Sequence, residues 1–313
     1  MADAVEAVRD AFVTLSRSTP WQPQRLASPD GRTLIMAASD GSGGGTLAKA
    51  VSLRPENRRS GLPTIISTAL WLDGETGQTV AIIDGAALTS LRTGAASGVA
   101  TAELAADDAK TLAMIGAGSQ APEQVRGVCS VREIEEIRVT SLSGDSAFRL
   151  TKELAQEYPE KRVLAIASVE SALEGAEIVC CATTATAPLF SVESLAERVH
   201  VNAIGSFRPD MCEVGVDTLA QASIVAVEQV AAALVEAGDI IRGFAAGVLA
   251  PESLIELGDL IANGATDIDG ITVYKSVGVA VEDWAVAELA VARALTREVT
   301  HMTASEEHPR ATA

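Results

Sequence analysis

The stretch TLAMIGAGSQAPEQV, residues 111–125, decides the fold of this chain. The run TLAMI predicts a buried strand, and the residues after Gln120 can form a helix. Between them, Gly116, Gly118 and Ala121 have the GxGxxA spacing of turns that bind dinucleotides. The first glycine allows the sharp bend, the second lets the backbone approach a pyrophosphate, and the helix N-terminus attracts the phosphates. A glycine turn without a nucleotide is the alternative interpretation, which the flanking strand and helix disfavour.

The surrounding sequence places this turn in a parallel sheet. Between about residues 110 and 275, short apolar runs alternate with amphipathic segments, which is typical of parallel strands joined by crossover helices. These runs are TLAMI, EIRVT, VLAIA, EIVCCA, VHVNAI, SIVAV and ITVY. We therefore predict the α/β class, with a Rossmann-type doubly wound parallel sheet over residues 107–291.

A second, smaller α+β domain is predicted from residues 1–106 together with 292–313. Its core is a set of antiparallel strands joined by hairpins: RTLIMAA, TLAKAVSL, TIISTALWL and TVAII. A long helix of small residues follows over about residues 86–106, and a last helix is expected near residues 279–294.

Charge and cysteine content exclude several classes of protein. The 313 residues carry 24 Lys and Arg against 42 Asp and Glu, a formal charge of -18, which disfavours binding to nucleic acid or to an anionic membrane. The N-terminal segment has helical spacing rather than the apolar core of a signal peptide. The four cysteines form no CxxC pair, and neither they nor the three histidines have metal-ligand spacing. We expect reduced thiols, a cytoplasmic location, no metal, and a structural role for His200.

Two cations are predicted to point inward. The alternation of a strand places Lys49 on the same face as Leu47 and Val51, although a sheet-rim lysine whose head reaches water is an equal alternative. Helical spacing places Arg92 on the stripe that contains Leu88 and Ala95. An anionic ligand such as an amino-acid carboxylate would satisfy both, since arginine binds it bidentately and lysine as a point charge.

The end of the second parallel strand bears on the choice of cofactor. NAD-binding domains carry an acid there for the ribose hydroxyls, whereas this chain has VTSLSGD, with Ser141 and Ser143 at those positions. NAD is therefore not specified, and the chain leans slightly towards NADP. Arg149 is the nearest candidate for a 2'-phosphate.

Taken together, these segments resemble the ornithine cyclodeaminase/mu-crystallin family over nearly the whole chain. The matching stretches are QPQR ending at Arg25, the Lys49 strand with RPEN and GLPTI, TGQTVAIIDGAALTSLRTGAAS, GAGSQA, VNAIGS and KSVGVAVED. The resemblance implies a homodimer, in which the smaller domain binds substrate and forms the dimer contact.

The resemblance also implies roles for individual residues. Arg25, Lys49 and Arg92 match positions that bind the substrate carboxylate. Independently of the resemblance, Lys49 or a water that it holds is the candidate proton donor, because desolvation lowers the pKa of a lysine. The residues matching cofactor contacts are Arg92, Thr93, Gly116, Gly118, Ser119, Gln120, Ser141, Ser143, Thr183, Ile204, Ser276 and Val277.

One departure from the family pattern distinguishes between reactions. Deaminating members carry an aspartate after the two small residues that follow the NA(V/I) strand, whereas here Phe207 follows Gly205 and Ser206. A positioned acid or base contributes about 10²- to 10⁴-fold to such a reaction. Asp210 could replace it only from three residues further on, beyond a proline.

We therefore expect reduction of a small cyclic imino acid of the Δ1-pyrroline-2-carboxylate type with NADH or NADPH. GSFRPDM also resembles the corresponding segment of the family's pyrroline-carboxylate and ketimine reductases. The alternatives are an NAD-dependent ornithine cyclodeaminase, an amino-acid dehydrogenase of the same family, and an NADPH-binding protein with little catalysis.

Overall fold

A computed structural model describes residues 1–18, 20–39, 41, 43–264 and 268–306, with side chains up to residue 296. The chain divides into two compact units. The larger contains residues 1–19 and 89–282, and the smaller contains residues 20–88 and 283–313.

The smaller unit is built on an antiparallel meander of five strands in sequential order. These strands are β1 (Leu26–Ala27), β2 (Thr33–Ala38), β3 (Thr46–Leu53), β4 (Ile65–Leu72) and β5 (Thr79–Asp84). Side chains alternate between the two faces, so Leu47 and Lys49 are buried while Ala50 is exposed. The face that holds Lys49 also holds Met36, Ala69 and Trp71, all of them buried.

The larger unit contains an eight-stranded sheet whose strand pairs are all parallel. Its strands are β6 (Thr111–Ile115), β7 (Glu136–Thr140), β8 (Arg162–Ala165), β9 (Ile178–Cys181), β10 (Val199–Ala203), β11 (Ala222–Val227), β12 (Leu254–Glu256) and β13 (Ile271–Lys275). They lie in the order β12-β11-β13-β10-β9-β6-β7-β8, so the strand order reverses between β6 and β9. Ligands of doubly wound sheets bind at such a reversal, outside the carboxyl ends of the strands.

Ten helices are assigned in the part of the chain that the structure describes. They are α1 (Ala2–Arg17), α2 (Gly85–Leu104), α3 (Ala121–Cys129), α4 (Gly144–Glu157), α5 (Val169–Leu173), α6 (Val216–Gln221), α7 (Val230–Glu236), α8 (Gly238–Ala245), α9 (Leu257–Asn263) and α10 (Ala280–Glu306). Short 3-10 helices lie at Pro55–Ser60, Val192–Ser194 and Pro251–Ser253. None of the described helices is both long and apolar enough to cross a membrane.

The parallel sheet is buried on both faces, which explains its continuous apolar runs. Along β6, Ala113 and Ile115 belong to one hydrophobic cluster, whereas Leu112 and Met114 belong to another on the opposite face. This architecture confirms the predicted fold class, and all seven predicted parallel strands are present. The additional edge strand β12 has only three residues, too few for periodicity to reveal it.

The two compact units differ from the predicted division of the chain. Helix α1 belongs to the larger unit, because its backbone at Phe12 lies against α9; a Cβ added at Gly258 would come within 2.0 Å of the Phe12 carbonyl oxygen. The unit boundary also falls within α2 rather than at residue 106. The assignment of substrate binding and dimerisation to the smaller unit stays a prediction, and residues 307–313 of that assignment lie outside the described residues.

His200 is buried within β10 in a polar network. Its Nδ1 lies 2.9 Å from Thr272 Oγ1 and its Nε2 lies 3.1 Å from Asn202 Oδ1. Burial lowers the pKa of His200 to about 3. The imidazole is therefore neutral at physiological pH, which fits a structural role.

His200 should make folding stability depend on pH. An unfolded histidine takes up a proton near pH 6.5, whereas the folded one resists protonation until about pH 3, so the folded state loses stability as pH falls through 6.5. We expect the free energy of unfolding of His200→Gln to be lower than that of wild type at pH 8. Below pH 6.5 it should fall less steeply with pH than the wild-type value, the two slopes differing by up to about 1.4 kcal/mol per pH unit. Urea unfolding from pH 8 to pH 4 measures this.

Thr272→Val is the matched control, because it removes a hydrogen-bond partner and keeps the imidazole. Its stability should retain the wild-type dependence on pH. Parallel pH profiles for wild type and His200→Gln would contradict the assignment.

Candidate functional site

The turn after β6 has the geometry that its glycines predict. Gly116 has a φ of 101°, in the left-handed region, and an added Cβ would lie 2.5 Å from the Ala182 carbonyl oxygen. A Cβ added at Gly118 would meet no atom within 4 Å, so the backbone there faces open space. Helix α3 begins at Ala121, directly after the turn. The N-terminus of this helix is thus available to an anionic group such as a pyrophosphate.

Helix α2 packs on α3 through glycine. A Cβ added at Gly127 would lie 2.0 Å from the Gly94 carbonyl oxygen, so the two backbones touch at this point. A buried hydrogen bond of 2.6 Å from Ser97 Oγ to Gln124 Oε1 links the same two helices. This close packing fixes the part of α2 that carries Arg92 relative to the dinucleotide turn.

Arg92 is buried and paired with a carboxylate. Its Nη1 donates to Glu282 Oε2 over 3.0 Å, and Glu282 Oε1 accepts from the backbone N–H of Val279 over 2.8 Å. Burial, opposed by the Arg92 guanidinium, raises the pKa of Glu282 to about 7. Gly278 lies against the guanidinium, since an added Cβ would come within 2.3 Å of Arg92 Nη1.

Lys49 is also paired within the protein. Its ammonium lies 2.5 Å from Asp283 Oδ2, and the side chains of the two residues are 2% and 0% exposed. The period-two placement of Lys49 on the buried face is therefore correct, and the alternative of a sheet-rim lysine reaching water is wrong. An opposite charge at this distance favours the protonated form of a buried lysine.

The predicted cofactor contacts of the parallel sheet lie at the carboxyl ends of its strands. Ser119 and Gln120 belong to the turn after β6, and Ser141 and Ser143 follow β7. Thr183, Ile204 and the pair Ser276–Val277 follow β9, β10 and β13 in the same way. Because these strands are parallel, their carboxyl ends meet along one edge of the sheet.

Several of these side chains already have partners within the protein. Gln120 Nε2 donates to Ser90 Oγ over 3.3 Å, and the Ser141 and Ser146 hydroxyls lie 3.0 Å apart. Thr93 Oγ1 donates to the Thr89 carbonyl of its own helix over 2.6 Å. Their assignment as cofactor contacts stays a prediction.

Arg25 lies in the smaller unit, directly before β1, and is partly exposed. Its assignment to the substrate carboxylate rests on the family resemblance and stays a prediction.

The loop that departs from the deaminase pattern carries no carboxylate at the expected position. Phe207 is partly buried, with the Arg208 guanidinium 6.0 Å from the centre of its ring. Asp210 is exposed and forms a two-pronged salt bridge with Arg208, with both distances 3.0 Å. This pairing gives Asp210 a structural partner outside any buried site.

Five buried acids among the described residues are absent from the sequence predictions: Glu213, Glu228, Asp239, Glu282 and Asp283. Glu228 Oε1 accepts from the Ser276 hydroxyl and from the N–H groups of Val277 and Gly278. A detectable signal existed for two of them, because consecutive acids in the apolar run VAVEDWAVA imply buried partners. Glu228 lies in an equally apolar run, IVAVEQVAAALV, and carried the same signal, whereas Glu213 and Asp239 stand next to turn residues and gave none.

Comparison with known proteins places the chain among nicotinamide-dependent enzymes. A profile of the ornithine cyclodeaminase/mu-crystallin family matches residues 1–298. A Δ1-pyrroline-2-carboxylate reductase of Bacillus cereus is 38% identical over 255 residues, which are 80% of this chain and 78% of that reductase.

Two solved structures share the fold over nearly their full length. The Δ1-pyrroline-2-carboxylate reductase of Thermococcus litoralis, in complex with NADH and L-proline, has a TM-score of 0.87 at 32% identity, covering 94% of this chain and 93% of that one. An archaeal alanine dehydrogenase dimer with bound NAD has a TM-score of 0.87 at 27% identity, covering 95% and 92%.

The pair of Lys49 and Asp283 should show strong energetic coupling. Asp283→Leu removes the counter-charge of a buried ammonium, and we expect the free energy of unfolding to fall by about 3–5 kcal/mol. Lys49→Met should cost a similar amount, because it leaves the buried carboxylate without its cation. The double variant, which replaces the pair by apolar groups, should recover most of the loss. Urea unfolding of the three variants gives the coupling energy, and additive losses would contradict a mutual pair.

Proposed function

Because this chain belongs to the ornithine cyclodeaminase/mu-crystallin family, we propose that it reduces a small cyclic imino acid of the Δ1-pyrroline-2-carboxylate type with a nicotinamide dinucleotide. The observation that carries this proposal is Phe207, which stands where deaminating members have an aspartate. The neighbouring acid, Asp210, is exposed and held by Arg208. The similarity to two reductases of this substrate supports the same reaction.

The residues at the carboxyl edge of the sheet fit a dinucleotide. Gly116 makes the turn, the space beyond Gly118 is open, and the N-terminus of α3 faces that space. When bound, a reduced nicotinamide supplies a hydride to the imine carbon. Two similar structures hold NADH or NAD, which supports NAD. The end of β7 has Ser141 and Ser143 instead of an acid, and on this ground we propose that NADP is accepted as well, with a slight preference for it.

Lys49 and Arg92 are proposed ligands of the substrate carboxylate, together with Arg25. A buried amine tends to lose its proton, and the Asp283 carboxylate counteracts this tendency at Lys49. Arg92 keeps its charge without help, and Glu282 instead holds the orientation of its guanidinium. Both cations are thus held charged and in place before a substrate enters.

The reaction needs one hydride and one proton. The hydride forms the new C–H bond at the carbon next to the carboxylate, and a proton from Lys49 Nζ, or from a water that Lys49 binds, forms the N–H bond of the cyclic amino acid. Lys49 then regains its proton from solvent. Holding the carboxylate limits the motion of the imine carbon, which is the contribution of positioning to the rate.

A direct assay tests this proposal. Purified protein is mixed with Δ1-pyrroline-2-carboxylate and either NADH or NADPH, and nicotinamide absorbance is followed. We expect the reduced cofactor to be consumed, and the two rates show which cofactor is preferred. Lys49→Met should lose at least about 10²-fold in turnover while still binding the cofactor.

Parallel reactions separate the alternatives. Ammonia from ornithine with NAD would identify a cyclodeaminase, and NADH consumption with pyruvate and ammonia would identify an amino-acid dehydrogenase. Cofactor binding with no turnover on any of these substrates would favour a binding protein. Any of these results, without imine reduction, would contradict the proposal.

We also propose that the protein is a homodimer formed through the face of the antiparallel sheet that lies opposite Lys49. The register of β2, β4 and β5 places four apolar side chains on the face opposite Lys49, each more than a third exposed: Ile35, Ile66, Leu70 and Ile82. A continuous apolar patch of this kind is typical of an association surface. The similar alanine dehydrogenase is a dimer, which supports a second copy as the partner.

A charge in this patch should disrupt the dimer. Ile82, at 76% exposure, contributes the most accessible of these side chains, and we expect Ile82→Glu to shift the mass in solution from twice 32.3 kDa towards 32.3 kDa. Light scattering after size exclusion measures this. Val235→Glu on α7, where the side chain is 53% exposed, is the control and should leave the mass unchanged. A dimeric Ile82→Glu protein or a monomeric wild type would contradict this interface.

A further inference from the structure

A single buried carboxylate joins the carboxyl ends of two neighbouring strands. Glu213 Oε1 accepts from the backbone N–H and the hydroxyl of Thr183, over 2.7 and 2.8 Å. Its Oε2 accepts from the N–H groups of Gly205 and Ser206, over 2.7 and 3.2 Å. Thr183 follows β9 and Gly205 follows β10, and these strands are adjacent in the sheet. One side chain therefore sets the separation of both strand ends.

The backbone of Glu213 is itself held by a second buried carboxylate, that of Asp239. Asp239 Oδ1 accepts from the backbone N–H groups of Glu213 and Val214, over 2.6 and 2.8 Å. The ammonium of Lys275, which lies 3.3 Å from Asp239, donates to the Ala203 carbonyl at the end of β10. Burial raises the pKa of Glu213, and the charge of Lys275 opposes that effect. Four donors pointing at one carboxylate favour its ionised form.

The surrounding backbone leaves no room for adjustment. A Cβ added at Gly205 would lie 2.2 Å from the Thr183 carbonyl oxygen and 2.5 Å from Glu213 Oε1. A Cβ added at Gly116 would lie 3.1 Å from Thr183 Cγ2. The dinucleotide turn, Thr183 and Gly205 are thus in contact, and a shift of one displaces the others.

We propose that Glu213 is a positioning residue for the nicotinamide dinucleotide, acting through Thr183 and the segment of residues 204–206. It does not need to touch the cofactor; its four hydrogen bonds hold the loops on which the proposed contacts Thr183 and Ile204 lie. The inference rests on the cofactor class of the proposed function and adds a residue that the sequence predictions do not include.

Glu213→Gln tests the inference, because it keeps the volume and replaces one acceptor oxygen by an amide that faces N–H donors. Titration of NADH and NADPH fluorescence with protein, without imino acid, measures the dissociation constant directly. We expect this constant to rise about tenfold or more for the preferred cofactor. Hydrogen exchange should accelerate at the backbone N–H groups of residues 183, 205 and 206, and the KM for the imino acid should change less than twofold.

Glu177→Gln is the matched control. Glu177 Oε2 also accepts two backbone N–H groups, those of Lys110 and Thr111, but at the opposite, amino-terminal edge of β6. It should lower thermal stability and leave the cofactor dissociation constant within twofold of wild type. Glu213→Asp keeps the charge but is one methylene shorter, so it cannot hold both strand ends, and an intermediate loss of affinity is expected.

Affinity within twofold of wild type in either Glu213 variant that unfolds cooperatively overturns the inference, as does an equal loss in Glu177→Gln. The direct binding measurement separates this inference from the proposed reaction. If imine reduction fails but Glu213→Gln still weakens cofactor binding, the inference stands and the reaction is wrong. A wild-type protein that binds neither NADH nor NADPH overturns both.

Discussion

Two buried ion pairs constrain which side chains this structure places together. Lys49 and Arg92 are almost completely buried, and a buried charge is stable only with a close partner. Their partners, Asp283 and Glu282, are consecutive residues of α10, and each pair forms within its own compact unit. The acids keep the cations charged and oriented, so the protein carries the cost of burying them before any ligand arrives.

The same principle explains what could be predicted from the sequence. The strand, glycine turn and helix of residues 111–129 could be predicted because they follow from local periodicity and from the backbone freedom of glycine. The inward positions of Lys49 and Arg92 follow from the side-chain period of one strand and one helix. The position of Glu213 depends on groups brought together from two loops and from helix α8, which no local sequence pattern records. Helix α1 packs closely on α9 at Gly258, which is far from α1 along the chain, so the sequence offered no reason to place α1 in the larger unit.

The carboxyl edge of the sheet combines open space with rigid support. The space beyond Gly118 is open. In contrast, Gly205 lies against Glu213 and Gly278 lies against Arg92, so neither glycine has room for a side chain. Two buried carboxylates, Glu213 and Glu228, collect the N–H groups of the loops after β9, β10 and β13. The loops are therefore ordered by the protein itself, which reduces the conformational entropy that a ligand must remove on binding.

The contact between Gly94 and Gly127 has a consequence for how this family can diversify. Where two helices meet backbone to backbone, every larger amino acid is excluded at both positions, so selection cannot adjust the helix spacing by small steps. Replacements in the loops at the strand ends, such as the loop that contains Phe207, leave this helix contact unchanged. The spacing of these two helices is thus closed to gradual change, whereas the strand-end loops can vary around it.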